Sequence, residues 1–417
     1  RRESPTKIRL EIKNKIKKLK LYEIPSREKA IKEAINHLKS GEILVVAGKG
    51  HENTQDYGNS KKFFLNKDII LKKIKTKNKS LSKSIKINIL KEESGQNFLL
   101  PKNEIRKASI NSKEIKKNDI FFAIEGKNKN GHLFLKEVFK NGASLSVVNK
   151  INPTEKRNKQ IKVSNTLSFL TRVSSIIREN SPGKIIAITG SCGKTSVKEL
   201  LGKSLNKISK AMYSPKSFNN KFGVPVSLFN INQKDEFGVF EVGMDKKGEI
   251  DFLTKILKPD VGVITNISYA HAKNFKNIKQ IALAKAEIIK NIKKEGSIIL
   301  NADDLFFNLH KKIAEENKLN IYSFSIKKKN TTVGLNYIKK IGKKFIINVR
   351  IKNIKKDFII SYNFENHLKN LLASIAVISI FKDIKYLDKN IFDNFKIPEG
   401  RGDISKIKLD KKIFFLV

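Results

Sequence analysis

The stretch with the clearest chemistry is Thr189–Thr195, which reads TGSCGKT. An apolar run of strand length, Lys184–Ile188, precedes it, and a helical pattern, Val197–Leu205, follows it. A strand, a glycine turn, Gly-Lys-Thr and a helix form the layout of a phosphate-binding loop, in which backbone N–H groups and a helix N-terminus hold an anion. We therefore expect Lys194 to reach the terminal phosphates of a nucleotide and Thr195 to hold Mg²⁺.

The loop has a shortened form. The general pattern G-x-x-x-x-G-K-[ST] would place glycine at position 188, where this chain has Ile188. The alternative interpretation is a glycine-rich turn before an ordinary helix. The strand, the turn and the helix occur in the required order, and this order favours a phosphate loop.

Two residues at the ends of other predicted strands could bind a metal. Glu241 lies near the end of the strand pattern Phe237–Val242, where a carboxylate beside the phosphate-loop strand would make a second Mg²⁺ contact. The alternative is an edge-strand side chain that points to solvent. His271 follows the strand pattern Asp260–Asn266, so it is either a metal ligand or a structural or solvated histidine.

Lys285 lies within an apolar helical stripe. The stripe has the spacing 3, 4, 3, 4 and consists of Ile278, Ile281, Lys285, Ile288 and Ile292. A buried lysine is costly unless it is paired or neutral, and a neutral amine can take up CO₂ as a carbamate. Such a carbamate would be an anion able to reach Mg²⁺. The alternative is a lysine that extends its ammonium group to solvent.

The composition indicates a globular chain with several domains. Its 417 residues are 39% hydrophobic and include one cysteine, which fits a reducing compartment. The sequence contains no membrane-length apolar run and no signal-peptide core, so we expect a soluble, cytoplasmic protein that does not bind membranes. The net charge of +46 is spread along the chain, and a bias towards lysine, asparagine and isoleucine explains it better than nucleic-acid binding does.

The remaining patterns predict an α/β chain with a mostly parallel sheet. Near its start, a helix at Arg27–Ser40 and a strand at Glu42–Ala47 precede a polar, glycine-rich cluster, Gly48–Glu52. The Lys- and Ser-rich stretch Leu71–Lys86 indicates a linker or a domain boundary. Short alternating strands are expected in Lys327–Ile360.

A small α/β unit is expected before the phosphate loop. Its patterns are a strand at Ile120–Ile124, a helix at Phe134–Lys140 and a strand at Ser144–Val148. The last residues, Lys412–Val417, form another strand pattern. Because the chain stops inside a strand of buried type, we expect it to be part of a longer protein.

Together these motifs resemble the Mur ligase family, the ATP-dependent amide-forming enzymes of peptidoglycan precursor synthesis. From Ile110 to Arg401 they are most similar to the MurF type, the UDP-N-acetylmuramoyl-tripeptide–D-alanyl-D-alanine ligases. The matching motifs occur in the family's order: TGSCGKTS, Asn219-Asn220 before Gly223-Val224-Pro225, Glu241-Val242-Gly243-Met244, His271, Ala284-Lys285-x-Glu287, Asn301-Ala302-Asp303, His367 with Asn370, and Pro398-x-Gly400-Arg401. Each motif alone is weak, but the ordered set is specific.

The resemblance implies roles for individual residues. The catalytic residues would be Lys194, Lys285, His271 and Glu241. Mg²⁺ would be held by Thr195, Glu241 and His271, together with a carbamylated Lys285. ATP would contact Gly190, Ser191, Cys192, Gly193, Lys194, Thr195, Ser196, Asn301, His367, Asn370 and Arg401. The peptide substrate would contact Asn219 and Asn220. The uridine nucleotide would contact Asn111, Ser112 and Lys113, where the family usually has Asp-Ser/Thr-Arg.

The first residues resemble a different member type, the C-terminal end of a MurE ligase, in which Gly48 and Glu52 would contact the incoming amino acid. The chain would then be part of a MurE–MurF fusion. Its expected regions are a partial MurE-type domain (1–75), a basic linker (76–86), a small α/β UDP-substrate domain (87–180), a three-layer central ATP-binding domain (181–400) and the start of a C-terminal domain (401–417).

The implied function is that of an ATP- and Mg²⁺-dependent ligase that adds D-alanyl-D-alanine to UDP-N-acetylmuramoyl-tripeptide through an acyl phosphate. We expect a monomer, and we expect this chain to be poorly active without the family's C-terminal domain. The alternatives are a ligase of the folylpolyglutamate or cyanophycin type, a basic P-loop ATPase that acts on nucleic acid, and a non-catalytic fragment that binds ATP.

Overall fold

A computed structural model describes residues 5–15, 21–38, 42–47, 54–56, 61–63, 66–96, 98, 101, 105–126, 129–269, 274–342, 344–361, 367–393, 395, 405–409 and 412–416. The chain divides into two compact units, Arg1–Ile85 and Lys86–Val417. Across the described ranges, no helix combines the length and the apolar character that a bilayer crossing requires.

The first unit contains short helices and a small hairpin. Its elements are α1 (Pro5–Lys15), α2 (Arg27–His37), and the antiparallel pair β1 (Thr54–Asp56) and β2 (Lys61–Phe63). The predicted helix at 27–40 is confirmed over α2, whose Ile31 and Ile35 are buried. The predicted strand at Glu42–Ala47 is wrong, because this segment has no regular secondary structure. Its Ile43 and Val45 are largely exposed, so its apolar residues do not pack in a core.

The basic stretch Leu71–Lys86, predicted as a linker or a domain boundary, is helical. It lies within α3 (Asn66–Ser94), which starts in the first unit and ends in the second. The sequence of α3 contains no glycine or proline, and its many lysines are good helix formers. Its C-terminal turns are anchored by the buried side chains of Ile89 and Leu90. A helix therefore runs through this stretch, and the division between the two units falls within it, after Ile85.

A small parallel sheet opens the second unit. Its strands lie in chain order: β3 (Ala108–Ser109), β4 (Ile120–Phe122), β5 (Leu145–Val148) and β6 (Gln160–Lys162). Helix α4 (Leu135–Lys140) packs Leu135 and Val138 against Phe121 of β4. The α/β unit predicted for this region is confirmed.

The phosphate-loop region is built on a larger sheet of nine strands. In chain order they are β7 (Lys184–Thr189), β8 (Ala211–Tyr213), β9 (Phe237–Glu241), β10 (Val261–Ile264), β11 (Ser297–Asn301), β12 (Asn320–Ser325), β13 (Val333–Ile341), β14 (Lys344–Ile351) and β15 (Ile354–Ser361). In space the order is β15-β14-β13-β12-β11-β10-β7-β9-β8. Strand β7 is central, with β9 and β10 as parallel neighbours. The antiparallel meander of β13, β14 and β15 confirms the strands predicted in Lys327–Ile360.

Helices cover both faces of this sheet and make three layers. They are α5 (Thr166–Glu179), α6 (Lys194–Ile208), α7 (Gly223–Phe229), α8 (Glu249–Leu257), α9 (Ile278–Lys290), α10 (Phe307–Glu316) and α11 (Leu368–Phe381). One hydrophobic core holds α6 and α11 against Ile186 and Ile188 of β7. The other core holds α7, α8 and α9 against Ile185 and Ala187. Because β7 is buried on both faces, its sequence is a continuous apolar run.

A separate antiparallel pair, β16 (Ser405–Leu409) and β17 (Lys412–Leu416), lies near the end of the chain. Its second strand confirms the strand predicted at Lys412–Val417. Overall, the α/β fold class with a mostly parallel sheet, predicted from the sequence, is confirmed.

Candidate active site

The turn after β7 has glycines at two positions whose backbone conformation disfavours any residue with a side chain. Gly190 has φ +147°, and a Cβ atom there would lie 1.9 Å from Thr265 Oγ1. Gly193 has φ +82° and is the residue before α6. Both conformations favour glycine, so the two glycines fix the path of the loop into the helix. The N-terminus of α6, which carries the positive end of the helix dipole, then faces the loop.

The segment after β10 holds this loop from the side. The N–H of Ser191 donates to the Asn266 carbonyl (2.9 Å), and the N–H of Cys192 donates to Asn266 Oδ1 (2.8 Å). Thr265 Oγ1 donates to the Cys192 carbonyl (2.6 Å). Thr265 and Asn266 are thus supporting residues that the sequence analysis did not identify. Their position at the end of a parallel strand could have indicated this role, because α/β folds place ligand-site residues at the carboxyl ends of strands.

The Lys194 side chain folds back across the loop. Its Nζ donates to the carbonyls of Gly190 (2.9 Å) and Ser191 (3.3 Å). The ammonium charge is therefore held at the mouth of the turn. This position suits a lysine that neutralises phosphate charge, as expected from the sequence.

Thr195 and Glu241 form a buried pair at the end of the central strands. Thr195 Oγ1 donates to Glu241 Oε2 (2.8 Å), and Asn219 Nδ2 donates to Glu241 Oε1 (2.8 Å). Glu241 is 1% exposed. The alternative of a solvent-facing Glu241 is therefore wrong. The geometry is explained by β9 pairing directly with β7, which brings the end of one strand beside the loop that follows the other.

The oxygen donors of this pair fit Mg²⁺, which is commonly bound by one or two carboxylates together with waters and substrate phosphates. Within the described ranges, no group of three or more His, Cys, Asp or Glu side chains could hold a metal. The predicted third protein ligand, His271, lies outside the described residues. The hydroxyl and carboxylate of Thr195 and Glu241 thus supply a partial ligand set.

Lys285 is buried on α9, with 1% of its surface exposed. The alternative in which it extends to solvent is wrong. The pKa of Lys285 is lowered from 10.5 to about 7, mainly because burial disfavours the ammonium form and also because Lys194 carries a positive charge. A large fraction of its amine is therefore neutral near neutral pH, as the chemistry of carbamate formation requires.

The same helix also fixes the start of α8. Glu287 Oε1 accepts from the N–H of Gly248 (2.8 Å), and Oε2 accepts from the N–H of Asp251 (3.1 Å). A carboxylate at a helix N-terminus satisfies free N–H groups and complements the helix dipole. Glu287 is therefore a positioning residue that connects the helix carrying Lys285 to the neighbouring wall of the site.

The predicted nucleotide residues have different environments. Asn301 Nδ2 donates to the Thr265 carbonyl (3.0 Å), and its Oδ1 accepts from the N–H of Asp303 (3.0 Å), so its side chain supports the loop after β10. Asn370 lies against the phosphate loop, because its Oδ1 is 2.5 Å from where a Cβ of Gly193 would be. Asn370 Nδ2 donates to His367 Nδ1 (3.3 Å), and burial lowers the pKa of His367.

The other predicted ATP-binding residues include Ser196, which is buried at the start of α6. Arg401 lies outside the described residues, as do the predicted amino-acid contacts Gly48 and Glu52.

A cavity of about 280 Å³ opens beside Lys194. Asn219 and Asn220, predicted to bind the peptide substrate, line it together with Lys194. The remaining lining residues are Lys221, Phe222, Gly243, Met244, Asp245, Glu249 and Leu253. Asn220 Oδ1 also accepts from the N–H of Gly223 (3.0 Å), which fixes the turn before α7. A cavity of this volume can hold a group of about the size of an amino-acid residue.

The segment predicted to bind the uridine nucleotide lies on the small sheet. Asn111 Oδ1 accepts from the N–H of Lys113 (3.2 Å) and caps the short 3₁₀ helix Ser112–Glu114. Ser112 is buried and Lys113 is exposed. Glu114 pairs with Lys216 (3.1 Å), which lies in the loop before α7. This ion pair is a direct contact between the small sheet's segment and the phosphate-loop region.

The neighbouring turn is also well defined. Asn149 N–H donates to His132 Nε2 (3.0 Å), so His132 Nδ1 carries the proton that it shares with Asn130 Oδ1 (2.8 Å). Burial lowers the pKa of His132, so the neutral form is favoured. Gly131–Phe134 forms a 3₁₀ helix that Asn130 caps, and His132 connects it to the residue after β5.

A protein-family model and several curated proteins match this chain. The Mur ligase middle domain matches residues 188–378. The UDP-N-acetylmuramoyl-tripeptide–D-alanyl-D-alanine ligase of Rickettsia prowazekii is 35% identical over 306 residues, which are 73% of this chain and 68% of the relative. The ligase of the same name from Buchnera aphidicola is 34% identical over 245 residues, 58% of this chain and 53% of the relative. The chain thus spans about half to two thirds of these curated relatives.

Solved structures are also similar. MurF from Acinetobacter baumannii superposes with a TM-score of 0.66 at 25% identity, covering 79% of this chain and 71% of that one. MurF ligase from Thermotoga maritima in complex with ADP gives a TM-score of 0.60 at 26% identity, covering 72% and 68%. These relatives, together with the hydrogen bond between the phosphate loop and the buried Glu241, show that the chain belongs to the Mur ligase family.

Proposed function

We propose that the chain forms the nucleotide- and peptide-binding part of an ATP-dependent ligase that adds D-alanyl-D-alanine to UDP-N-acetylmuramoyl-tripeptide. The observation that carries this proposal is the hydrogen bond from Thr195, the residue after Lys194, to the buried Glu241. Lys194 itself lines a cavity of about 280 Å³. The names of the Rickettsia and Buchnera relatives support this choice of substrates.

The reaction needs ATP because an unactivated carboxylate is a poor electrophile. In the proposed sequence, the terminal carboxylate of the tripeptide attacks the γ-phosphorus, the bond to ADP breaks, and an acyl phosphate forms. The amine of D-alanyl-D-alanine then attacks the carbonyl carbon, loses a proton, and phosphate leaves as the amide forms. Lys194 stabilises the negative charge on the transferring phosphoryl group.

Mg²⁺, when bound, would neutralise phosphate charge during the transfer. Thr195 and Glu241 would hold it, and His271 is proposed as a further ligand. Asn219 keeps the Glu241 carboxylate oriented through its amide group. This hydrogen bond fixes the direction of the carboxylate oxygens, as a metal ligand requires.

We also propose that Lys285 reacts with CO₂ to give a carbamate that faces the metal. The neutral amine attacks the carbon of CO₂ and releases one proton, so an uncharged buried group becomes an anion. The lowered pKa of Lys285 and its proximity to Lys194 support this proposal. A Lys285→Ala variant should lose activity that short-chain carboxylic acids partly restore, and normal activity in the variant would exclude the carbamate.

His367 and Asn370 are proposed to line the nucleotide site, with Arg401 as a further contact. Asn301 acts by supporting the loop that carries Thr265. The uridine nucleotide is proposed to bind near Asn111, Ser112 and Lys113 on the small sheet.

The domain assignment is likewise a proposal. Residues 87–180 would form the UDP-substrate domain and 181–400 the ATP-binding domain. Residues 1–75 would correspond to the C-terminal part of a MurE-type ligase, joined through 76–86, and 401–417 would begin a further domain. A monomer acting in the cytoplasm, where ATP and nucleotide-linked precursors are available, is the arrangement that fits this function.

The test uses the protein at its natural length. It should release phosphate only when ATP, Mg²⁺, UDP-N-acetylmuramoyl-tripeptide and D-alanyl-D-alanine are all present, and it should form the pentapeptide product. Lys194→Ala should abolish both signals, whereas Lys203→Ala, on an exposed position of the same helix, should retain them. Undiminished product formation by Lys194→Ala would exclude the assignment.

A further inference from the structure

A second lysine of α6, Lys198, is fully buried. It lies one helical turn after Lys194, and none of its surface is exposed. Its Nζ donates to the carbonyl of Lys216 (2.5 Å) and lies 3.1 Å from Glu199 Oε1. Removing an ammonium group from water is costly, and replacing a buried ion pair by apolar side chains is often neutral or stabilising. The position of Lys198 therefore calls for an explanation other than stability.

The carbonyl that Lys198 holds belongs to the segment Ser214–Asn220, which connects β8 to α7. Lys216 has φ +49°, a left-handed conformation that is uncommon for lysine. A backbone in this conformation requires support from its surroundings. The charge-assisted bond from Lys198 supplies that support at the centre of the segment.

Both ends of the segment Ser214–Asn220 form hydrogen bonds with Glu241. At the start, Ser214 Oγ accepts from the N–H of Glu241 (3.4 Å). At the other end, the N–H of Gly243 donates to the Asn219 carbonyl (2.8 Å), and Asn219 Nδ2 donates to the Glu241 carboxylate (2.8 Å). A Cβ on Gly243 would lie 2.9 Å from Asn219, so the two chains are in close contact.

We propose that Lys198 is a positioning residue for the metal site. Lys198 fixes the backbone at Lys216 and thereby the position of Asn219, which bonds to the Glu241 carboxylate. Lys198 thus helps to orient the carboxylate that would bind Mg²⁺ together with Thr195. This inference rests on the proposed binding of Mg²⁺ with a nucleotide, and it adds a role that the phosphate-loop pattern does not contain. Groups that orient metal ligands in this way typically contribute about 10–100-fold to metal affinity.

The test compares wild-type protein with Lys198→Met by isothermal titration with ADP, with and without Mg²⁺. Wild type should bind ADP more tightly when Mg²⁺ is present. In Lys198→Met this Mg²⁺ enhancement should fall by about tenfold or more, while metal-free ADP binds with unchanged affinity. The thermal midpoint should fall, because the Lys216 carbonyl and the Glu199 carboxylate lose the ammonium group as a partner. Lys203→Met, at an exposed position of α6, is the matched control and should behave as wild type.

A double-mutant cycle distinguishes this role from general disruption. Asn219→Ala should lower the Mg²⁺ enhancement by a similar factor. The double variant should lower it no further than either single variant does, because both residues act through the same contact of Asn219 with Glu241. If Lys198→Met does not fold, the shorter uncharged Lys198→Gln is measured in the same way.

Three results would overturn the inference. They are an unchanged Mg²⁺ enhancement in the folded variant, an equal loss of metal-free ADP binding, and additive effects in the cycle. A wild-type protein that binds ADP without any Mg²⁺ enhancement would instead refute the proposed function on which the inference rests.

Discussion

Replacing Lys285 by methionine should stabilise the protein by an amount that depends on pH. Burial lowers the pKa of Lys285 from 10.5 to about 7. Between these two values the unfolded chain binds more protons at this group than the folded chain does, so the wild type becomes more stable as the pH rises through that window. Methionine is of similar length and carries no proton, so its contribution does not change with pH.

The magnitude follows from the size of the pKa change. Each pH unit below 10.5 costs the folded wild type about 1.4 kcal/mol, until the folded-state pKa of about 7 is reached. Lys285→Met should therefore be more stable than wild type by about 4 kcal/mol near pH 7.5 and by only about 1.4 kcal/mol near pH 9.5.

The assay is urea unfolding of both proteins over this pH range in buffers free of CO₂, so that the amine stays unmodified. Lys290→Met, at an exposed position of the same helix, should show no pH-dependent gain. Adding bicarbonate near neutral pH should stabilise wild type alone, because only wild type can form the carbamate. A stability gain that is constant from pH 7.5 to 9.5, or a variant that is less stable throughout, would refute the reasoning.

Three further outcomes are expected. Cys192 is the chain's only cysteine and is exposed in the phosphate loop, so ATP with Mg²⁺ should slow its alkylation by a maleimide, and equal rates with and without nucleotide would contradict binding at this loop. Gly190→Ala should abolish nucleotide binding in titrations, because the added Cβ would lie 1.9 Å from Thr265 Oγ1; near-normal affinity would show that the loop is not held as described. Arg178 is 2% exposed and pairs with Asp260 (2.8 Å), so Arg178→Ala should lower the free energy of unfolding by about 3–5 kcal/mol, and a loss below about 1 kcal/mol would mean that the pair is dispensable.

The sequence predicted the features that depend on local spacing. The phosphate loop follows from glycine and lysine positions within a few residues, and the burial of Lys285 follows from its place in a helical stripe. The pairing of Thr195 with Glu241 was also accessible, because both follow strands of a parallel sheet. The loop and the stripe need no knowledge of which distant segments meet, whereas the pairing of Thr195 with Glu241 requires that β9 lies beside β7.

Contacts between distant segments were less accessible. Asn266 and Glu287 act by bonding to backbone groups far away in the chain, and their roles depend on the order of strands in the sheet. Lys198 could have been found, since Lys198, Leu201 and Leu205 form the same kind of apolar stripe that identified Lys285. The Lys- and Ser-rich composition of Leu71–Lys86 indicated a linker or a domain boundary, and the helical conformation of this stretch was indicated only by its lack of glycine and proline.

The most direct test of the central claim is to trap the activated carboxylate. The natural-length protein is incubated with UDP-N-acetylmuramoyl-tripeptide, Mg²⁺ and ATP, without D-alanyl-D-alanine. It is then treated with borohydride, which reduces an acyl phosphate to an alcohol and releases phosphate. We predict an alcohol-terminated tripeptide that depends on ATP and is absent with Lys194→Ala. No reduced tripeptide from the wild type, or an equal amount from the variant, would contradict carboxylate activation at this phosphate loop.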